Sequence, residues 1–375
     1  MDKMKLSFPQ KNIWLVEKFN EGTNINSIVG TIEIKYGFDT KKCNEAINEV
    51  IKNNDALRLK FVEEFGNVFQ ILEDYEPYDA EFVDFSDSND LDIASKKREI
   101  ALIPLDIFNN ETYKFYILKY TKDSGAILMK IHHLVCDAWS CSNIGTDIAS
   151  FLENGECEKR VSYKEFLNSE DEYVNSEKYL KDKEFWNEYL DGIEETVSLK
   201  ETKENIKNEA KRYSIKLSKE ENDAINSFCK ENRVSVFSLF LGALSTYIYR
   251  IKDKNDFVIG TPILNRSNFK EKQILGMFIS TIPLRIKIEE NQKFIDVVKN
   301  ISSNTMNVFR HQKYPYSKIL EDVRKNTNLK DNLYNVILSY QNARAKLIDN
   351  DKYSTSWIFN EVLNDQLQIH VTDMD

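Results

Sequence analysis

Lys130-Ile131-His132-His133-Leu134-Val135-Cys136-Asp137-Ala138-Trp139-Ser140 is the stretch on which the rest of the chain turns. It continues an apolar run, Ala126-Ile127-Leu128-Met129, entered through Asp123-Ser124-Gly125. That pattern reads as a turn leading into a buried strand. Neighbouring side chains on a strand point to opposite faces, so His132 and His133 cannot do the same job. One faces the core and the other is free to face a cavity. Asp137 precedes a helix-like stretch carrying Trp139, Ile144, Ile148, Phe151 and Leu152, where a short carboxylate caps free backbone N–H groups. A histidine at a strand end, before a loop and a helix start, is a setting suited to proton chemistry.

Working outward, residues 113–120 alternate as a strand, with Tyr113, Phe115 and Ile117 on one face, and pair with the histidine strand. Upstream lie a short helix over 12–19, a strand over 28–36 and a helix opening at Asp39 or Thr40. That helix carries Cys43, Ala46, Ile47, Val50 and Ile51 in the stripe of an amphipathic helix packed on a sheet. A hairpin follows (57–62 and 67–72, turning at Glu64-Phe65-Gly66-Asn67), then a strand near 80–85 and a helix over 88–102. Downstream come helices over 139–153, 162–172 and 173–191, the second opening on a capping box, Ser162-x-x-Glu165. Residues 192–210 are almost wholly polar and read as a linker.

Beyond the linker the pattern restarts, with a strand over 211–217, a capping box at Ser218-x-x-Glu221 and an apolar helix holding Phe237, Phe240, Leu241, Leu244 and Ile248. Strands over 257–260 and 281–288 precede a helix over 293–308 with Phe294, Val298, Ile301 and Val308 inward. Three strand-like runs, 334–340, 355–359 and 366–371, end the chain. The prediction is an α/β fold of mixed sheets in two subdomains. The first, 1–171, carries the histidine motif; a helix and polar linker span 172–210; the second covers 211–375.

Bulk properties narrow the class. At 375 residues the chain is too long for one ordinary core. With 41% hydrophobic and 30% charged residues it reads as a water-soluble, cytoplasmic protein, and no apolar stretch reaches membrane-spanning length. The polar N-terminus lacks the apolar core of a signal peptide. A net charge of −10, with no dense Lys/Arg face, argues against nucleic acid as a partner. Five cysteines without paired spacing read as reduced thiols.

His132-His133-x-x-x-Asp137 resembles the HHxxxDG signature of condensation domains from nonribosomal peptide synthetases, shared with chloramphenicol acetyltransferase and related CoA-dependent acyltransferases. Further stretches match in the family's order. Ser7-Phe8-Pro9-Gln10-Lys11-Asn12-Ile13-Trp14 looks like the opening motif. Asn53-Asn54-Asp55-Ala56-Leu57-Arg58-Leu59-Lys60-Phe61 is a worn form of RHExLRTxF, and Tyr163-Lys164-Glu165-Phe166 fits the fourth motif. Gly260-Thr261-Pro262 with Asn265-Arg266 looks like the latch between the halves. Gly276-Met277-Phe278-Ile279-Ser280-Thr281-Ile282-Pro283-Leu284-Arg285 is similar to the fifth motif, and His311-Gln312-Lys313-Tyr314-Pro315-Tyr316 to the sixth. The resemblance spans nearly the whole chain. Ala138 stands where the signature has glycine, Asn53 where the second motif has arginine and Ser280 where the fifth usually has asparagine. The final motif, around 325–333, is worn, and the chain stops where family members continue, so the C-terminal part is expected to be truncated.

The resemblance implies two chloramphenicol-acetyltransferase-like subdomains in a V shape with a tunnel between them. Donor and acceptor carrier proteins would present substrates on phosphopantetheine, with no tightly bound cofactor, and an acceptor amine would attack a donor thioester to give an amide. An adenylation domain is the expected neighbour, and the domain itself a monomer. His133 would be catalytic and tunnel-facing, as base or as positioning group, with His132 structural. Asp137 would pair with a buried arginine, for which Arg58 is the candidate. Ala138, Trp139 and Ser280 would lie along the substrate path. No HExxH or CxxC spacing supports a metal site, and nothing orients Cys136 as a nucleophile for His133. The position of the first motif near Met1 favours a starter type; a heterocyclising variant is excluded and an epimerase disfavoured. Two further readings compete: an impaired domain serving as a docking platform for carriers, supported by Ala138, Asn53 and Ser280, and a standalone acyltransferase to an alcohol or amine.

Overall fold

The computed structural model describes residues 3–109, 111–200, 208–341, 347 and 349–372. After β1 (Lys3–Lys5), the Ser7 hydroxyl accepts the Gln10 N–H and the Gln10 side chain accepts the Ser7 N–H. This closed capping box, with Pro9 in the first turn, starts α1 (Phe8–Phe19) ahead of the predicted start at residue 12. β2 (Ser27–Ile34) leads to Asp39, which caps α2 (Thr40–Asn53), and all five predicted stripe residues of α2 are buried. β3 (Leu59–Glu64) and β4 (Asn67–Leu72) form the predicted antiparallel hairpin. Phe65 and Gly66 both take positive φ (50° and 76°), the geometry of a tight turn whose twist matches the flanking strands.

Next come β5 (Glu81–Asp84), α3 (Asp90–Leu102), β6 (Tyr113–Lys119), β7 (Gly125–His132) and α4 (Ala138–Asn154). α5 (Lys164–Val174) does not form the predicted capping box. The Ser162 hydroxyl and the Tyr163 N–H both bond to the Asp55 carboxylate, and Glu165 pairs with Lys270 instead of capping. The Ser162 oxygen still accepts the Lys164 N–H at 3.2 Å, but the box is not closed, because Glu165 is drawn to Lys270. α6 (Glu177–Tyr189), α7 (Lys219–Asn232) and α8 (Val236–Lys252) follow, then β8 (Asp256–Ile263), α9 (Phe269–Lys272) and β9 (Ser280–Lys287). α10 (Phe294–Phe309), α11 (Tyr316–Asn326), β10 (Val336–Gln341), β11 (Tyr353–Ile358) and β12 (Leu367–Thr372) complete the order. No single described helix is long and apolar enough to cross a membrane.

The chain divides into two compact units: Met1–Glu172 with Arg266–Ile279 and Ala343–Val362, and Tyr173–Asn265 with Ser280–Asn342 and Leu363–Asp375. The predicted continuous blocks, 1–171 and 211–375, are therefore interleaved, because 266–279 and 343–362 pack with the first unit. That unit holds a five-stranded sheet, β11-β2-β7-β6-β5, antiparallel except for β5 beside β6, and a small sheet, β1-β4-β3. β7 is the central strand of the larger sheet and all eight of its residues are buried. Ile127, Met129 and Ile131 join the core under α2 and α4, while Ala126 and Leu128 face the smaller core that takes in Ile100 and Ala101 of α3. β6 is buried on both faces for the same reason: Phe115 and Ile117 enter one core, Tyr116 and Leu118 the other.

The second unit holds the sheet β12-β10-β8-β9, parallel except for β8 beside β9. Ser218 and Glu221 form the predicted capping box, and Leu241, Leu244 and Ile248 of α8 are buried. Three expectations fail here. Residues 211–217 form no strand; Tyr213 and Ile215 are 87% and 88% exposed, so the alternation finds no ladder partner among the described residues. Phe294 lies at the open start of α10 and is exposed, whereas Val297, Val298, Ile301 and Val308 point inward. In the expected linker, Ile193 and Val197 are buried in the second core, while 201–207 lie outside the described residues.

Candidate active site

The fully buried β7 delivers His132 and His133 at its C-terminal end, and Asp137 caps α4 with its carboxylate on the Ser140 N–H at 2.9 Å. Five residues thus separate a rigid strand from a rigid helix start. The loop between them is tied down: the His133 N–H donates to the Asn26 carbonyl (2.8 Å), and the Leu134 carbonyl accepts the Gln10 side chain (2.9 Å). The two histidines diverge as strand geometry requires. His132 is buried, its Nε2 3.1 Å from a Glu17 carboxylate oxygen and its Nδ1 accepting the Leu134 N–H at 3.1 Å. His133 is half-buried, and its Nδ1 is enclosed with no hydrogen-bond geometry satisfied among the described residues. Burial first, then the neighbouring His132, push its pKa down to about 4, against smaller opposing effects of Asp137 and the Cys136 backbone. His133 is therefore a neutral imidazole at neutral pH.

Asp137 pairs with Arg266, not with Arg58. Arg266 sends Nη1 to one carboxylate oxygen (2.7 Å) and Nη2 to the other (3.2 Å), and both side chains are fully buried. The Phe278 and Ile279 N–H groups add bonds of 3.0 and 3.2 Å, and the guanidinium lies 4.0 Å from the Phe278 ring centroid. Burial alone would raise the Asp137 pKa, but the charge and hydrogen bonds of Arg266, with the Ser140 and Phe278 N–H groups, outweigh it and hold the pKa below the usual value. A carboxylate accepting five donors has no proton to give; Asp137 is a brace. Arg58 instead donates to the Glu73 carbonyl at 2.6 Å. The sequence offered no way to choose between them, because the true partner comes from a segment far along the chain.

Ser140, Gly276 and Tyr163 complete the brace, and the sequence pattern did not single them out as site residues. The Ser140 hydroxyl donates to the Gly276 carbonyl and accepts from the Gly276 N–H and Arg266 Nη2, all at 3.0 Å, using its whole hydrogen-bonding capacity. Gly276 has φ +143°, and a Cβ there would sit 2.3 Å from the Tyr163 ring. Gly276→Ala is accordingly expected to cost about 2 kcal/mol or more, read as a lowered urea midpoint; an unchanged midpoint would mean the ring yields freely.

Ala138 is the first residue of α4, half-buried and helical, so the backbone freedom of glycine is not needed there. The Trp139 indole N–H donates to the Lys272 carbonyl (3.0 Å), which anchors it to α9. Ser280 belongs to the second unit, opposite Ile263 on β9. Cys136 and Cys141 are both buried with sulfurs 3.2 Å apart, a proximity that their spacing did not reveal. Burial and the Cys141 thiol hold Cys136 well above the usual thiol range, so it is a thiol rather than a nucleophilic thiolate. Among the described residues no group of three or more His, Cys, Asp or Glu converges as a metal site would require.

Residues 1–373 match the family model of the Condensation domain, and the chain belongs to that family, which generally forms amide bonds by acyl transfer in nonribosomal peptide synthetases. Surfactin synthase subunit 1 of Bacillus subtilis (strain 168) is 33% identical over 380 residues, covering 98% of this chain, which spans only 11% of that protein's length. Two solved structures share the fold. The starter condensation domain of rhizomide synthetase superposes with a TM-score of 0.84 at 17% identity, covering 99% of this chain and 86% of the other. The X-domain from teicoplanin biosynthesis gives 0.86 at 18%, covering 100% and 86%.

Proposed function

We propose that this domain joins a donor acyl thioester to an acceptor amine, each delivered on the phosphopantetheine of a carrier protein. The amine nitrogen attacks the thioester carbonyl, the carbon–sulfur bond breaks, and the carrier thiol leaves with the proton that the amine gives up. His133 is the observation that carries this reading: a neutral, half-open imidazole on a loop whose backbone is held from both sides.

Magnitude selects its role. The α-ammonium of a free acceptor titrates near ~8, so a useful fraction of the amine is already unprotonated at neutral pH. His133, pushed down to about 4 by burial, is a weak base for that nitrogen. Accepting a hydrogen bond from the amine, so as to orient it and stabilise developing charge, requires no full proton transfer. Asp137 and Arg266 hold the loop and take no part in the chemistry. Both carriers, and an adenylation domain adjoining in the same synthetase, would meet this domain in the cytoplasm.

The test is to load two carrier proteins, one with an acyl group and one with an amino acid, and follow amide product by mass spectrometry. Product is expected. Carrier binding without product would favour the docking-platform reading, for which Ala138 is the specific support. The helical backbone at Ala138 makes the methyl group a mild departure. Ala138→Gly is expected to lower stability by about 1 kcal/mol and to leave the amide-forming rate little changed. A large gain in rate would identify the methyl as inhibitory.

A further inference from the structure

We infer that Glu17, a buried carboxylate on α1, is a positioning residue for His133 and acts by selecting the tautomer of His132. The inference rests on the role proposed for His133. Glu17 is 2% exposed, and the partners of its carboxylate are the Asn26 side-chain amide (2.7 Å) and His132 Nε2 (3.1 Å), both on the same oxygen.

The tautomer follows from the donors. A backbone N–H can only donate, so His132 Nδ1, which receives the Leu134 N–H at 3.1 Å, carries a lone pair and no proton. The ring proton then sits on Nε2 and points at Glu17. In the other tautomer two N–H groups would oppose each other at Leu134, and two sets of lone pairs would oppose each other at Glu17. A carboxylate, which only accepts, therefore locks the ring in the state that holds the Leu134 N–H.

The second route runs through Asn26. Its side-chain amide N–H donates to the same Glu17 oxygen, while its backbone carbonyl accepts the His133 N–H at 2.8 Å. One buried oxygen thus governs both N–H groups that bracket the His133 side chain. Carboxylates that fix the tautomer of metal-ligating histidines change activity by roughly 10–100-fold when removed, and a loss of that order is expected for Glu17.

The test reads tautomer and turnover separately. Long-range proton–nitrogen correlation spectra of the protein labelled with ¹⁵N-histidine are expected to show His132 as the Nε2–H tautomer. In Glu17→Gln the new amide can donate to Nε2, so a mixture with the Nδ1–H form is expected. The kcat for amide formation should then fall on the order of 10–100-fold, with KM for both loaded carriers unchanged. An Nδ1–H or doubly protonated His132 in the wild type would overturn the inference. So would a Glu17→Gln protein with full kcat, or one whose losses lie wholly in KM. Should Glu17→Gln fail to fold, the wild-type spectrum still decides. A wild type that forms no amide would sink the functional reading instead, and the spectrum, which needs no turnover, would still report on Glu17 by itself.

Discussion

Arg266→Met is expected to destabilise the protein by about 3–5 kcal/mol, enough to unfold a marginal domain at ambient temperature. The mutation leaves the Asp137 carboxylate fully buried and removes its only charged partner among the described residues. The three N–H donors from Ser140, Phe278 and Ile279 remain, but they do not neutralise it. Arg58→Met breaks one charged hydrogen bond to the Glu73 carbonyl and is expected to cost about 1.5–3 kcal/mol. Urea titrations of the two variants therefore test the pairing directly, and equal losses would sink the assignment to Arg266. Replacing both members, as Asp137→Leu with Arg266→Met, should recover only part of the loss. The apolar pair removes the stranded charge but leaves the Ser140, Phe278 and Ile279 N–H groups without their acceptor.

His133→Ala is expected to reduce amide formation by on the order of 10²–10⁴-fold, with carrier binding intact, as measured by product mass in the two-carrier assay. Undiminished product would end the role proposed for this residue. A second readout needs no substrate. His133 has a folded pKa of about 4 against an ordinary 6.5, so between those values the unfolded chain binds more protons than the folded one. Stability therefore rises with pH across that window and is lost as pH falls through it. His133→Ala should flatten that slope between pH 4 and 6.5 and leave it unaltered above.

The parts of this protein that could be read from its sequence are those fixed by neighbours a few residues away. The α2 stripe, the Phe65-Gly66 turn and the Ser218 capping box each contain their own cause, and each formed as predicted. So did the divergence of the two histidines, which needs only the alternation of a strand. What failed depended on distant segments. Ser162 and Glu165 had every local mark of a capping box, but Glu165 pairs with the distant Lys270 and leaves the box open. Residues 211–217 alternate like a strand, yet a strand exists only where another offers it a ladder. Glu17 left no mark at all, and Arg266, though part of the latch-like stretch, carried nothing to tie it to Asp137. A charged residue, among 51 lysines and arginines and 61 acidic residues, gives no sign of which opposite charge or imidazole it will meet. The histidine loop was legible, and the pairings that hold it still were not.

The interleaving of the first unit has a consequence for how it is made. On a ribosome β2 emerges early, but β11, which covers its edge from Ile34↔Tyr353 to Val29↔Ile358, emerges near the end of the chain. Asp137 likewise waits for Arg266. A nascent chain that has released residues 1–172 therefore carries an open sheet edge and an unneutralised carboxylate at the very loop that holds the histidines. Its native state is reached only after most of the second unit has been synthesised. No single cut in the chain releases the first unit whole, and expression boundaries drawn at residue 172 would yield a protein without its brace.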